Sequence, residues 1–244
     1  MTSARPLRLG VLASGSGSNL QALLDACARG QRDASDPAAL NAEVAVVICN
    51  IEGARCMKRA AEAGVPAILL KHSGAPSREE YDARLVATLQ RHEVELVCLA
   101  GFMRLVTPVL LRAYPDRVLN IHPSLLPSFR GLHAVQQALD AGARIAGCTV
   151  HFVDEGTDTG PVLIQAAVPV LDGDTEETLS QRIHAQEHAC YVRAVQLIAG
   201  GLVDWTNGSA KRRTTVRLSA GLPSESSSRL VWPPLAERRA GGIA

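Results

Sequence analysis

Apolar and polar positions follow a regular rhythm through the first half of the chain. Leu7 to Leu12 is a short apolar run, followed by a polar turn and a segment with helical spacing from about Leu20 to Arg29. The same unit then recurs. Glu43–Cys49 predicts a strand and Ala54–Ala63 a helix closed by Gly64. Ala67–Leu70 predicts a third strand, followed by a helix that opens at Ser77 with Glu80 three residues on, a capping box, and ends near His92. Leu96–Ala100 predicts the fourth strand, and Thr107-Pro108 is a cap and first-turn pair for a short helix. Arg117–Leu119 begins the fifth strand. Five strand–helix alternations in about 120 residues predict a parallel, right-handedly wound sheet. After a helix from His133 to Ala141 the rhythm changes. Cys148–Val153 and Val162–Gln165 are strands joined by the acidic loop Asp154–Pro161 with no helix between them, which predicts an antiparallel edge. Asp174 with Glu177 then caps a long helix reaching about Ala199. The expected class is α/β: a doubly wound, mostly parallel, Rossmann-like sheet with antiparallel C-terminal edge strands.

Polar surface loop is expected over 30–42. The domain is expected to span 1–205, leaving 206–244 as a tail, partly disordered or loosely docked, where periodicity fades into Ser-, Arg- and Pro-rich sequence. The cluster Lys211-Arg212-Arg213 reads as solvated charge.

Candidate chemistry concentrates at the end of the fifth strand, in Asn120-Ile121-His122-Pro123-Ser124-Leu125-Leu126-Pro127. Alternate strand residues share a face, so Asn120 and His122 point one way and Leu119 and Ile121 the other. The two prolines stop both helix and central strand, which leaves His122 at a strand's carboxyl end, where open α/β sheets keep their sites. An amide donor beside an imidazole suits acyl chemistry, with one oxyanion donor and one proton carrier. A polar turn holding a satisfied histidine fits the same local pattern. The glycine-serine loop Ala13–Asn19 between the first strand and helix outlines a phosphate site, with amides freed by glycine and a helix amino terminus. It lacks the third glycine of a dinucleotide fingerprint and the Gly-Lys-Ser/Thr of a P-loop. A tight βα turn is the plain alternative.

Composition removes several classes. A net charge of +1 and eight aromatic residues argue against a nucleic-acid surface. No apolar run approaches membrane-spanning length, and Met1–Arg8 lacks the apolar stretch of a signal peptide. Six scattered cysteines without a C-x-x-C pair suit buried thiols in a reduced, cytoplasmic setting.

Five stretches occur in one order: Gly15-Ser16-Gly17-Ser18-Asn19-Leu20-Gln21, Ser77-Arg78-Glu79-x-Tyr81-Asp82, Ala100-Gly101-Phe102-Met103-Arg104, Asn120 to Pro127, and Gln186-Glu187-His188. Over roughly residues 7 to 205 the chain resembles the phosphoribosylglycinamide formyltransferases, within the folate-dependent formyltransferases. The resemblance implies transfer of a formyl group from 10-formyltetrahydrofolate to a glycinamide amine. It implies catalytic roles for Asn120, His122 and Asp158, with Asp158 pairing with the histidine and favouring its protonated form. Gly17, Ser18, Asn19 and Glu187 are implied to hold the ribonucleotide. Arg78, Met103, Arg104, Leu105, Val106, Asn120 and the loop Asp154, Glu155, Gly156, Thr157 and Asp158 are implied to meet the folate. A cis bond at Leu126–Pro127 is implied as well.

No metal is expected, because the histidines lack ligand spacing. Partners are expected to be small molecules, without nucleic acid or membrane, with homodimerisation left open. The departures from the family pattern are the longer 30–42 loop, Thr159 in place of a frequent glycine, and the tail. Among rivals, a methionyl-tRNA formyltransferase needs a positive carboxyl-terminal domain that neither the net charge nor a tail of about forty residues suggests. A formyltetrahydrofolate hydrolase carries a regulatory domain ahead of the first strand, where six residues stand here. A non-catalytic binding module would not need Asn120, His122 and Asp158 together.

Overall fold

A computed structural model describes residues 5–33, 36–206, 215–218 and 231–232. In chain order the elements are β1 (Leu7–Ala13), α1 (Ser18–Arg32), β2 (Ala42–Cys49), α2 (Arg55–Glu62), β3 (Ala67–Leu69), α3 (Arg78–Arg91), β4 (Leu96–Leu99) and α4 (Pro108–Ala113). There follow β5 (Val118–His122), α5 (Ala134–Asp140), β6 (Ile145–Phe152), β7 (Val162–Pro169), α6 (Glu176–Ala199), β8 (Val203–Thr206), β9 (Thr215–Leu218) and β10 (Val231–Trp232).

The main sheet runs β10-β7-β6-β5-β4-β1-β2-β3. Pairs from β3 through β2, β1 and β4 to β5 are parallel, while β6, β7 and β10 each pair antiparallel with their neighbour. Both the wound half and the antiparallel edge follow the hydrophobic rhythm. Alternate residues of the buried strands serve two cores. Leu9, Val11, Leu96 and Cys98 face the α1–α6 layer, and Leu12, Val97 and Leu99 pack with Tyr81 and Leu85 of α3 and Leu110 of α4. The winding direction reverses between β1 and β4, so the loops after both strands open together at one sheet edge, the place where such sheets form a crevice. The loop after β5 leaves at the same edge.

Three local expectations change. Helix α1 continues to Arg32, so the surface loop is shorter than the 30–42 span. Gly30 does not end the helix. Any side chain there would run into the Leu40 carbonyl, so glycine serves close approach rather than termination. Helix α6 is capped by Thr175, whose hydroxyl accepts from the Thr178 N–H while the Thr178 hydroxyl accepts from the Thr175 N–H. Asp174 instead pairs with Arg182 at 2.7 Å and accepts from the Leu171 N–H. Beyond residue 205 the described parts are strands: β9 pairs with β8, and β10 with β7. The rest of the expected 206–244 tail, including Lys211-Arg212-Arg213, lies outside the described residues.

Candidate active site

Strand β5 carries Asn120 and His122 to the carboxyl edge on one face, and the loop after β6 brings Asp158 against both. His122 is 5% exposed. Its Nδ1 lies 3.4 Å from Asp158 Oδ2, and its Nε2 donates to the Phe129 carbonyl at 2.8 Å. A ring that gains a proton would satisfy both acceptors at once. Asn120 Nδ2 lies 3.5 Å from Asp158 Oδ1 and 3.2 Å from His151 Nε2. His151 Nδ1 faces the Phe152 carbonyl at 2.9 Å, so the neutral ring protonated at Nδ1 presents Nε2 as an acceptor to the Asn120 amide. Asp158 itself sits in left-handed backbone, φ 50°, and accepts the Gly131 N–H at 2.9 Å. Burial raises its pKa, but a hydrogen bond from His151 whenever that ring carries a second proton, the Gly131 amide, and the charges that His122 and His151 bring when protonated outweigh that effect and leave it lowered. Asp158 is therefore a carboxylate at neutral pH.

The turn after His122 is held from behind. Thr149 Oγ1 donates to the Ser124 carbonyl at 2.6 Å and accepts the Leu126 N–H at 3.0 Å, while Gln165 donates to the Leu126 carbonyl at 2.8 Å. The Leu126–Pro127 bond is cis, as expected.

On the other side of the crevice stands the glycine-serine loop. Gly17 caps α1 in left-handed backbone, φ 72°, and a Cβ there would meet Cys56 Cβ at 2.8 Å and its Cα at 2.9 Å. Asn19 Nδ2 donates to Glu187 Oε2 at 2.9 Å, and Asn19 Oδ1 is buried without a partner among the described residues. The Gln186-Glu187-His188 segment thus faces the interior at Glu187, which is 3% exposed. Burial raises the Glu187 pKa, opposed by the Asn19 bond and the charges of His184 and His122. Ser14 ties this loop to the next. Its hydroxyl donates to Asn50 Oδ1 at 2.6 Å and accepts the Met103 N–H at 2.9 Å.

Of the other expected contacts, Met103 and Leu105 stand 71% and 57% exposed at the crevice loop after β4, large apolar side chains without cover. Arg78 reaches the Leu105 carbonyl at 2.7 Å, which ties α3 to that loop beside Val106. Arg104 turns onto the Tyr81 ring of α3, 4.4 Å from its centre. In the acidic loop, Asp154 Oδ1 accepts from the Gly156 N–H and from Thr159 Oγ1, so Thr159 pins the loop carrying Glu155 and Thr157.

Residues 7–195 match the family described as formyl transferase. The chain belongs to the formyl transferase family. It is 39% identical over 193 residues to the phosphoribosylglycinamide formyltransferase of Bacillus subtilis, covering 79% of this chain and 95% of that protein. It is 51% identical over 201 residues to the trifunctional purine biosynthetic protein adenosine-3 of Drosophila pseudoobscura pseudoobscura, covering 82% of this chain but spanning only 14% of that protein's length. Among solved structures, glycinamide ribonucleotide transformylase 1 from Symbiobacterium toebii superposes with a TM-score of 0.81 at 49% identity, covering 88% of this chain and 95% of the other.

In this formyl transferase fold, sequence reading missed His151 and Thr149. Strand β6 pairs Asn120 with His151 and His122 with Thr149, so the two polar couples lie side by side in neighbouring strands. Thr149 and His151 are 0% and 1% exposed. The available signal was two polar residues at period two inside an apolar strand, the same pattern that drew attention to Asn120 and His122. Asn50 carried no signal, and Ser14 was read only within the glycine-serine loop, because the residues that its hydroxyl joins are far apart in the chain.

Proposed function

We propose that this formyl transferase moves a formyl group from 10-formyltetrahydrofolate to the amine of 5-phosphoribosylglycinamide, giving N-formylglycinamide ribonucleotide and tetrahydrofolate in purine (IMP) biosynthesis. The observation that carries the reading is the convergence of Asn120, His122 and Asp158 at a strand edge facing the Gly17–Asn19 loop. The bare apolar side chains of Met103 and Leu105 suit a flat ring system, in keeping with a folate. The folate supplies the formyl group. Asn120 Nδ2 carries two hydrogens, and its 3.5 Å approach to Asp158 is weak, so one hydrogen serves the formyl oxygen as that oxygen gains charge. His122 takes the proton released as the amine nitrogen bonds to the formyl carbon, and returns it to the departing nitrogen. Substrate seated there replaces the Phe129 carbonyl at His122 Nε2. Asp158 orients the ring and matches its positive charge. Gly17, Ser18 and Asn19 offer amides to the acceptor's phosphate, and Glu187 faces its amine-bearing end. Arg78, Met103–Val106 and Asp154–Asp158 line the folate side.

In this reading 1–205 is the formyltransferase domain and 206–244 a tail. The partners are small molecules, without nucleic acid or membrane, and a homodimer is compatible with it. The substrates suit a cytoplasmic setting, and among the described residues no helix is long and apolar enough to cross a membrane. The test offers the purified protein 10-formyltetrahydrofolate with phosphoribosylglycinamide, with methionyl-tRNA, or with water alone as acceptor, and measures formyl product. Formylation of the ribonucleotide alone is expected. Preference for tRNA, or hydrolysis without an acceptor, overturns the reading.

A further inference from the structure

Away from the crevice chemistry, a groove of about 620 Å³ follows the seam between α1 and α6, closed at one side by the 36–38 turn. Three guanidinium groups line it: Arg29 from α1, Arg59 from α2 and Arg193 from α6. The single carboxylate in the lining is Asp25, whose Oδ1 accepts from the Gln21 amide at 2.9 Å. Among the described residues Arg59 donates to neutral acceptors, the Ser16 carbonyl and Gln21 Oε1, both at 2.9 Å. Arg193 reaches Gln196 Oε1 at 3.4 Å, and neither it nor Arg29 forms an ion pair with a described residue. The Nε atoms of both arginines and Nε2 of His188 are buried without any partner among the described residues. A buried donor left without a partner costs stability. Three guanidinium groups are thus gathered here, and none forms an ion pair with a described residue. Burial lowers the pKa of His188, helped by the charges of His184 and Arg59, so that ring is a neutral polar neighbour.

The shape narrows the ligand. From Ser18 to Arg29 the groove follows three turns of α1, roughly 16 Å at 1.5 Å per residue. An inorganic anion would leave most of that length empty. Ala22, Ala189 and Val192 make an apolar strip between the charged positions. Cations beside an apolar strip in a volume within the usual small-molecule range fit an elongated organic phosphate.

We infer that the α1–α6 groove binds a nucleoside phosphate, with the phosphate held by Arg29 and Arg193 and the nucleoside lying over the apolar strip. The groove meets the Gly17–Asn19 loop at Ser18, but Arg29 lies three turns along α1 from that point, and the test does not depend on turnover. Calorimetric titration of the full chain with adenosine monophosphate is the measurement, with inorganic phosphate as a second titrant. Arg29→Gln and Arg193→Gln should each weaken nucleotide binding by about tenfold or more, the loss expected for a charge-assisted bond. Arg193→Lys should recover part of it. Inorganic phosphate should bind much more weakly than the nucleotide. Thermal melts matching the parent show that each variant folds. Three outcomes overturn the inference: undiminished nucleotide binding in both folded Arg→Gln variants, equal binding of inorganic phosphate, or a loss confined to Asn19→Ala, which would put the nucleotide at the acceptor loop.

Discussion

Asp158 and Glu187 stand on opposite walls of one crevice, both largely removed from water, and their pKa values move in opposite directions. Asp158 is lowered because a backbone amide and two histidines surround it. Glu187 is raised because burial acts on it with one amide donor, Asn19, in direct contact. Partners, rather than depth, decide the charge of a buried carboxylate. The contrast divides the crevice into a wall that keeps a fixed negative charge for a histidine and a wall whose acid gains charge most readily when something positive arrives.

The largest effect should come from breaking the fixed wall. Asp158→Asn keeps shape and removes charge. His122→Ala removes the proton carrier. Each should lower kcat by about two to four orders of magnitude with modest change in the ribonucleotide's KM. The double variant should lose little more than His122→Ala, because the two act as a unit. A kinetic double-mutant cycle measures this. If the two losses multiply, Asp158 acts on its own and the division of labour between the walls fails.

Gly17→Val tests the acceptor wall by force. Valine would sit in left-handed backbone, a strain of about 1–2 kcal/mol, and press on the Cys56 backbone. The variant should melt several degrees lower and lose ribonucleotide binding, while a folate analogue still binds the folded fraction, as read by calorimetry. Equal loss of both ligands in folded protein would show that the loop supports both walls alike.

The opposite pKa shifts make opposite demands on stability. For Asp158 the folded value is depressed, so its contribution is complete above the unfolded value, about 4, and is lost as pH falls through the folded one. For Glu187 the folded value is raised, so the contribution is complete below about 4.3 and is lost as pH rises through the folded one. Glu187→Gln should therefore raise the melting temperature by a few degrees at neutral pH and leave it unchanged near pH 4. A fall of equal size at both pH values would mean that Glu187 holds the fold through Asn19 whatever its charge.

The smallest effect should follow Ser14→Ala, which removes the hydroxyl joining Asn50 and the Met103 amide. KM for both substrates should rise a few-fold with kcat nearly unchanged. A rise for one substrate alone would show that the two loops are set independently.

Strand and helix order were legible because periodicity is local. Apolar runs buried on both faces, Gly64 after α2, Ser77 before α3 and Thr107-Pro108 before α4 each act within a few residues of themselves. The misread positions were those where a distant partner decides. The first helix was expected to end near Arg29 and instead runs on through Gly30, which lies against Leu40, and Asp174 looked like a cap until Arg182, two turns along α6, claimed it. At the site, the shared face of Asn120 and His122 follows from the two-residue period of a strand. The contact between His122 and Asp158 does not, because 35 residues lie between them, with helix α5 and strand β6, and only the antiparallel return of β6 closes the gap. The same return sets His151 beside Asn120 and Thr149 behind the cis turn. Sequence alone therefore determined which elements form and which residues each one presents. The tertiary structure decided which of those residues meet, and so which carboxylate keeps its charge, because hydrogen bonds and Coulomb forces act over a few ångströms of space regardless of distance along the chain.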